Sequence, residues 1–171
     1  MENLFTYMAV LLLWVAACAD IATRRIRNWI SLSLVILFLP FAALTLHWTD
    51  TVAHFLAAAA VFTLFFAGFA LRKVGGGDVK LATAVMLWAG PETGLDFLFL
   101  MALSGGLLAL FFILPLANYG RHWIARHLYG VMPSLADGIA DRSVPYGVAI
   151  AIGGTFALHP GFLPFLGLAG S

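Results

Sequence analysis

"RKVGGGDVKLATAVMLWAG" occupies residues 72–90 of the chain. A basic pair comes first, then Val74, three glycines, Asp78 and Lys80, and only then an uninterrupted apolar run. From Val79 to Gly90 the chain makes about 18 Å of helix, whereas the hydrocarbon core of a bilayer is about 30 Å thick. The spacing therefore predicts that Val74-Gly75-Gly76-Gly77 enters the membrane boundary as irregular backbone. Amides without helical partners are tolerated at that depth only beside other protein or a watery cavity. Glycine permits positive φ and close approach of a second chain, so the stretch predicts a loop that admits an extended peptide and water next to Asp78. A plain flexible turn is the simpler reading of the same glycines.

The remainder of the chain makes the membrane setting firm. Of its 171 residues, 63% are hydrophobic and 10% charged, against about 25% charged in soluble domains. Six apolar spans can be read, at roughly 4–20, 29–47, 52–71, 74–90, 95–117 and 144–168. The expected architecture is an all-α polytopic membrane protein with six transmembrane helices, forming a single domain over 1–171. Long period-2 alternation of the outer-membrane barrel kind is missing from the sequence. All nine Lys and Arg residues fall after spans 1, 3 and 5 or just inside span 4. Basic loops stay cytoplasmic, which predicts that both termini face outward. A net charge of +1 gives no reason to expect nucleic acid, and a lone cysteine, Cys18, excludes a disulfide framework or a four-cysteine zinc site. "VAAC" at 15–18 resembles a lipoprotein box, but no basic residue precedes Arg24, as a signal peptide requires. Cys18 is then expected to be a packing residue.

One polar connection, 118–143, is sizeable. Within it Trp123, Ile124, Leu128 and Val131 lie near one helical stripe, away from Arg121, His122 and Arg126. That pattern suits a cytoplasmic interfacial helix between spans 5 and 6, and a solvated loop fits as well. The five histidines have no metal-ligand spacing; His47, His54 and His159 are expected at outward span ends. Trp29, Trp48 and Trp88 are expected in the interfacial belts. Ser104 lacks the preceding glycine of a serine-protease motif and is expected to pack between helices.

Two of the eight acids need an account. Asp20 closes span 1, one turn before Arg24, and Asp78 opens the helical part of span 4. Both sit at the cytoplasmic ends of their spans, so both reach one depth, and an ionisable group there is costly and usually functional. Ion pairing of Asp20 with Arg24, or of Asp78 with Lys80 or Lys73, would explain each alone but gives the glycines no task. Two facing carboxylates and a water can hydrolyse a peptide without metal or cofactor. One takes a proton from water as general base, and the other, protonated, polarises the carbonyl and then protonates the leaving amine. A proton relay in a transporter is the main rival use of such a pair, although transporter sites lie near the midplane between repeated halves.

"DIATRRIRNW" at 20–29, "GGGDVKL" at 75–81 and "VPYGVAIAIGG" at 144–154 together resemble the type IV prepilin peptidases. More narrowly they look like the small form associated with Flp-type tight-adherence pili, within the GxGD group of intramembrane aspartic proteases. The resemblance implies that Asp20 and Asp78 are the catalytic pair. It implies that Gly75, Gly76 and Gly77 shape the loop beside the substrate, and that Lys80 stands next to the site with its role open. It further implies a prepilin substrate, whose short basic leader is cut at the cytoplasmic (inner) membrane ahead of its hydrophobic helix. Arg27 stands where the family's Arg-x-Ile-Pro-Asn pattern has proline, which loosens the turn into span 2. Larger relatives that also methylate the product carry a zinc-binding insertion with paired CxxC motifs. This chain has neither, so methyltransferase activity is not expected.

Overall fold

The computed structural model describes residues 2–113, 115–133 and 144–159. Among these residues the secondary structure is helical throughout: α1 (Glu2–Thr23), α2 (Asn28–Thr45), α3 (Trp48–Ala70), α4 (Gly76–Ile113), α5 (Pro115–Leu128) and α6 (Tyr146–Leu158). The first four are long and apolar enough to cross a membrane. Of expected span 6, Tyr146–Leu158 is a helix, and residues 160–168 lie outside the described residues, as do Asp137 and Asp141.

The sequence reading placed a loop between spans 4 and 5. The structure replaces it with a single break: within α4 only Gly90 leaves helical geometry, at φ 63° and ψ −168°. The two limbs of α4 fold back on each other there. Gly153 of α6 lies against Phe97 and Met101 of the second limb, while its neighbour Gly154 lies against Val85 of the first. Val85 and Met101 would be about 24 Å apart along a straight helix. The break is supported from α3. Pro91 has no N–H, so the Leu87 carbonyl lacks its regular partner four residues on. His54 Nδ1 supplies the donor at 2.8 Å, which fixes its tautomer because a carbonyl can only accept. His54 is thus a buried structural residue rather than an interfacial one.

Trp88 departs from expectation in the same way. It is buried, stacks on Phe41 with centroids 4.9 Å apart and donates from Nε1 to the Leu34 carbonyl at 2.9 Å. The first limb of α4 is the centre of the bundle, so its aromatic residue finds protein where an outer helix would find headgroups. Trp29 and Trp48 are exposed, as belt residues are. Cys18 is exposed on the outer face of α1 rather than packed within the bundle. Ser104 bonds to its own helix at Leu100 and reaches the Ala149 carbonyl of α6 at 3.4 Å, as a packing residue between helices does.

The connection after the second limb of α4 begins with a helix, α5, and residues 134–143 lie outside the described residues. In α5, Trp123 and Ile124 are exposed while Ala125 is buried, and Val131 lies beyond the helix end at Leu128. A helix therefore carries Arg121, Trp123, Ile124, Arg126 and Leu128, whereas Val131 falls outside it. Core packing elsewhere follows from small residues: α6 lies between α1 and α4, and a Cβ on Gly154 would come within 2.7 Å of Leu13 and 2.9 Å of Val85.

Candidate active site

Asp20 lies in the last turn of α1 and is 8% exposed. Its Oδ2 accepts a 2.8 Å hydrogen bond from the backbone N–H of Gly147. That amide belongs to the first turn of α6, where Pro145 is the N-cap and the N–H groups have no intrahelical partner. Asp20 therefore caps a helix far away in sequence. The approach needs a glycine: a Cβ at position 147 would stand 2.9 Å from both Cβ and Oδ2 of Asp20. Arg24 closes the same turn, donating its N–H to the Asp20 carbonyl at 2.9 Å, and its guanidinium charge acts on the Asp20 carboxylate.

Asp78 is the third residue of α4 and is half-buried. Its carboxylate reaches back to the Gly75 N–H, and Val79 N–H bonds to the Gly75 carbonyl at 3.1 Å. The first contact is one half of a capping box, with glycine in the cap position; the second is the ordinary first bond of the helix. A Cβ on Gly75 would lie 2.8 Å from Asp78 Oδ2. Each aspartate is thus held by the amide of a glycine at a helix start, and neither glycine can carry a side chain without touching that aspartate.

The glycine run differs from expectation in one respect. Gly76 and Gly77 are already helical, so of the four residues 74–77 Val74 and Gly75 alone are irregular. None of the three adopts positive φ; among the described glycines that conformation falls at Gly90. The run serves close approach instead. Gly76 faces Phe69 of α3 at 3.3 Å from a built Cβ, and Gly77 faces Ile26 of the α1–α2 loop at 3.0 Å. The unusual backbone is at two arginines, Arg24 (φ 53°) and Arg72 (φ 56°). Both end helices in a left-handed turn, a place glycine usually takes. Lys80 donates from Nζ to Asn28 Oδ1 at 2.9 Å, so its hydrogen bond runs to the start of α2.

Asp20 is bonded to the first turn of α6, and the same turn borders the cleft that Asp78 lines. Tyr146, the residue before Gly147, lines this cleft of about 330 Å³ together with Asp78. The charge of Asp20 acts on Asp78. The cleft has a polar end at Asp78 and Lys73, and a smooth wall of Ala102, Gly105, Gly106 and Ala109 on the second limb of α4. It is open to an elongated apolar ligand with a polar group at one end. Gly147 is the site residue that the sequence reading did not single out. Its signal was the Pro-Tyr-Gly at the start of span 6, at the same predicted depth as both aspartates.

Residues 7–110 match the model of the type IV leader peptidase family. The chain belongs to that family. The matched region runs from α1 into the second limb of α4 and contains Asp20, the glycine run, Asp78 and Lys80. Helix α6, with Gly147, lies beyond it. No curated protein and no solved structure matches the chain. Family membership makes it a leader-peptidase-like protease, and its four long apolar helices make it a multi-pass membrane protein.

Proposed function

We propose that this leader peptidase is an intramembrane aspartic endopeptidase that removes the short basic leader of a Flp-like type IV prepilin at the inner face of the cytoplasmic membrane. One observation supports the reading: the first turn of α6 bonds Asp20 through Gly147 and, through Tyr146, borders the cleft that Asp78 lines. In this reading a water lies between the carboxylates. The ionised one removes a proton as the water oxygen attacks the scissile carbonyl carbon, while the protonated one donates a hydrogen bond to the carbonyl oxygen. Collapse of the tetrahedral intermediate breaks the C–N bond, and the amine leaves with a proton from the dyad. Each step keeps its protons within the pair, so the chain needs no further reactant than water.

The cleft suits such a substrate. Its polar end lies at Asp78, and its wall of small residues follows the second limb of α4 into the apolar region, where a prepilin's hydrophobic helix would pack closely. The basic loops after α1 and α3 lie at the Asp20 and Asp78 end, which supports a cytoplasmic location for that end under the positive-inside rule. Both termini then face outward with six crossings, and α5 lies in the cytoplasmic interface with Trp123 and Ile124 toward lipid.

Co-expression with candidate Flp-like prepilins tests the proposal. Wild-type enzyme should convert precursor to mature pilin, and Asp20→Asn and Asp78→Asn should each leave precursor intact while accumulating as folded membrane protein. Processing at the wild-type rate with asparagine at either position would overturn it.

A further inference from the structure

Asp20 and Asp78 stand on helices that scarcely touch. Among the described residues α1 packs chiefly on α2 and α6, and α4 on α3, α6 and α2. The separation of the carboxylates is therefore set by intermediaries. Helix α6 is one, through Gly147 at the site and Gly154 between Leu13 and Val85. The other is at the cytoplasmic rim. Ile26, in the short loop that leaves α1 four residues after Asp20, seats on Gly77, and Lys80 reaches across 52 positions to the side chain of Asn28. Gly77 and Lys80 flank Asp78 in sequence, and Ile26 and Asn28 flank the turn into α2.

Resting on the peptidase reading, we propose that Lys80 is a positioning residue: through its bond to Asn28 it clamps the first turn of α4 to the α1–α2 loop and fixes Asp78 relative to Asp20. Lys80 does not line the cleft, whereas Lys73 does. The lysine acts on the geometry of the dyad and not on the bound substrate. Its long stem is needed because it rises from the second helical turn of α4, and its ammonium matches a neutral amide oxygen that only accepts.

The test is a double-mutant cycle in the full chain with Lys80→Met, Asn28→Ala and the double variant, assayed on prepilin, with Asn28→Asp as the conservative exchange. Lys80→Met should lower kcat roughly tenfold to a hundredfold, the range for a small misplacement of reacting groups, with KM nearly unchanged. The double variant should lose no more than the worse single one, because both remove the same bond. Asn28→Asp retains an acceptor for the ammonium and should keep the wild-type kcat. Hydrogen exchange gives a readout independent of activity: amides of 24–28 and 75–80 should exchange faster in Lys80→Met. Additive losses, a change confined to KM, or wild-type kcat and exchange in Lys80→Met would each overturn the clamp. A wild-type protein that cleaves no prepilin would instead sink the peptidase reading, while the exchange experiment would still decide whether the clamp exists.

Discussion

Gly75 and Gly147 look equivalent, since each lends an amide to one aspartate, yet their substitution should differ. A methyl at Gly75 meets only the tip of the Asp78 side chain, Oδ2 at 2.8 Å. The carboxylate can swing aside. Gly75→Ala should therefore fold with nearly wild-type thermal stability and lose processing by about a hundredfold, because a 1 Å displacement of a catalytic group has that effect. A methyl at Gly147 meets Asp20 Cβ at 2.9 Å and Cγ at 3.1 Å, atoms close to the α1 backbone. Gly147→Ala must move a helix, so both processing and melting temperature should fall. Equal stability loss in the two variants would contradict this distinction. Asp20 and Asp78 were legible from sequence because an acid at the end of an apolar run stands out against its surroundings. Gly147 was not singled out, since a Pro-Tyr-Gly at a span start reads as an ordinary helix entry until its distant partner is known.

At the scale of the element, the break in α4 rests on three residues from two helices. Gly90 holds φ 63° under the His54 ring, Pro91 withholds an N–H, and His54 bonds to the Leu87 carbonyl. Gly90→Ala adds both a strained backbone and an overlap with His54, and should destabilise by about 3 kcal/mol or more. His54→Ala leaves the Leu87 carbonyl without its donor inside an apolar core and should cost about 2 kcal/mol. Thermal unfolding in detergent measures both, and a His54→Ala variant as stable as wild type would show that another donor satisfies Leu87. Hydropathy predicted two spans meeting near Gly90 and was right about the place. It assigned a loop because it cannot see that one residue reverses the chain when a neighbouring helix supplies the lost hydrogen bond.

At the scale of the molecule, α6 works as a spacer. Its glycines let α1 and α4 approach from opposite sides, and its first turn bonds Asp20 and borders the cleft that Asp78 lines. Gly154→Leu should wedge Leu13 and Val85 apart, lowering stability by about 1–3 kcal/mol and slowing cleavage. Gly106 is the contrasting position: no atom lies within 4 Å of a Cβ built there, and it lines the cleft. Gly106→Leu should fold normally and raise KM for a full-length prepilin while a short peptide lacking the hydrophobic helix is cut as before. An unchanged KM would remove the cleft from the substrate's path. A topology reporter fused after Arg126 should read cytoplasmic, and an outward reading would invert the arrangement of dyad and membrane.

By itself the sequence determined the material: apolar runs long enough to span a bilayer, with two acids and most of the basic residues at their ends. These follow from composition along the chain, which the membrane reads locally, span by span. Tertiary structure alone decided which faces are inside. Lipid and protein core are equally apolar, so hydropathy could not separate the buried Trp88 and His54 from belt residues, or the exposed Cys18 from a packed one. For the same reason it could not show that the glycines beside Asp78 serve contact rather than backbone rotation. That difference lies in distances between helices remote in the chain, and only packing sets those distances.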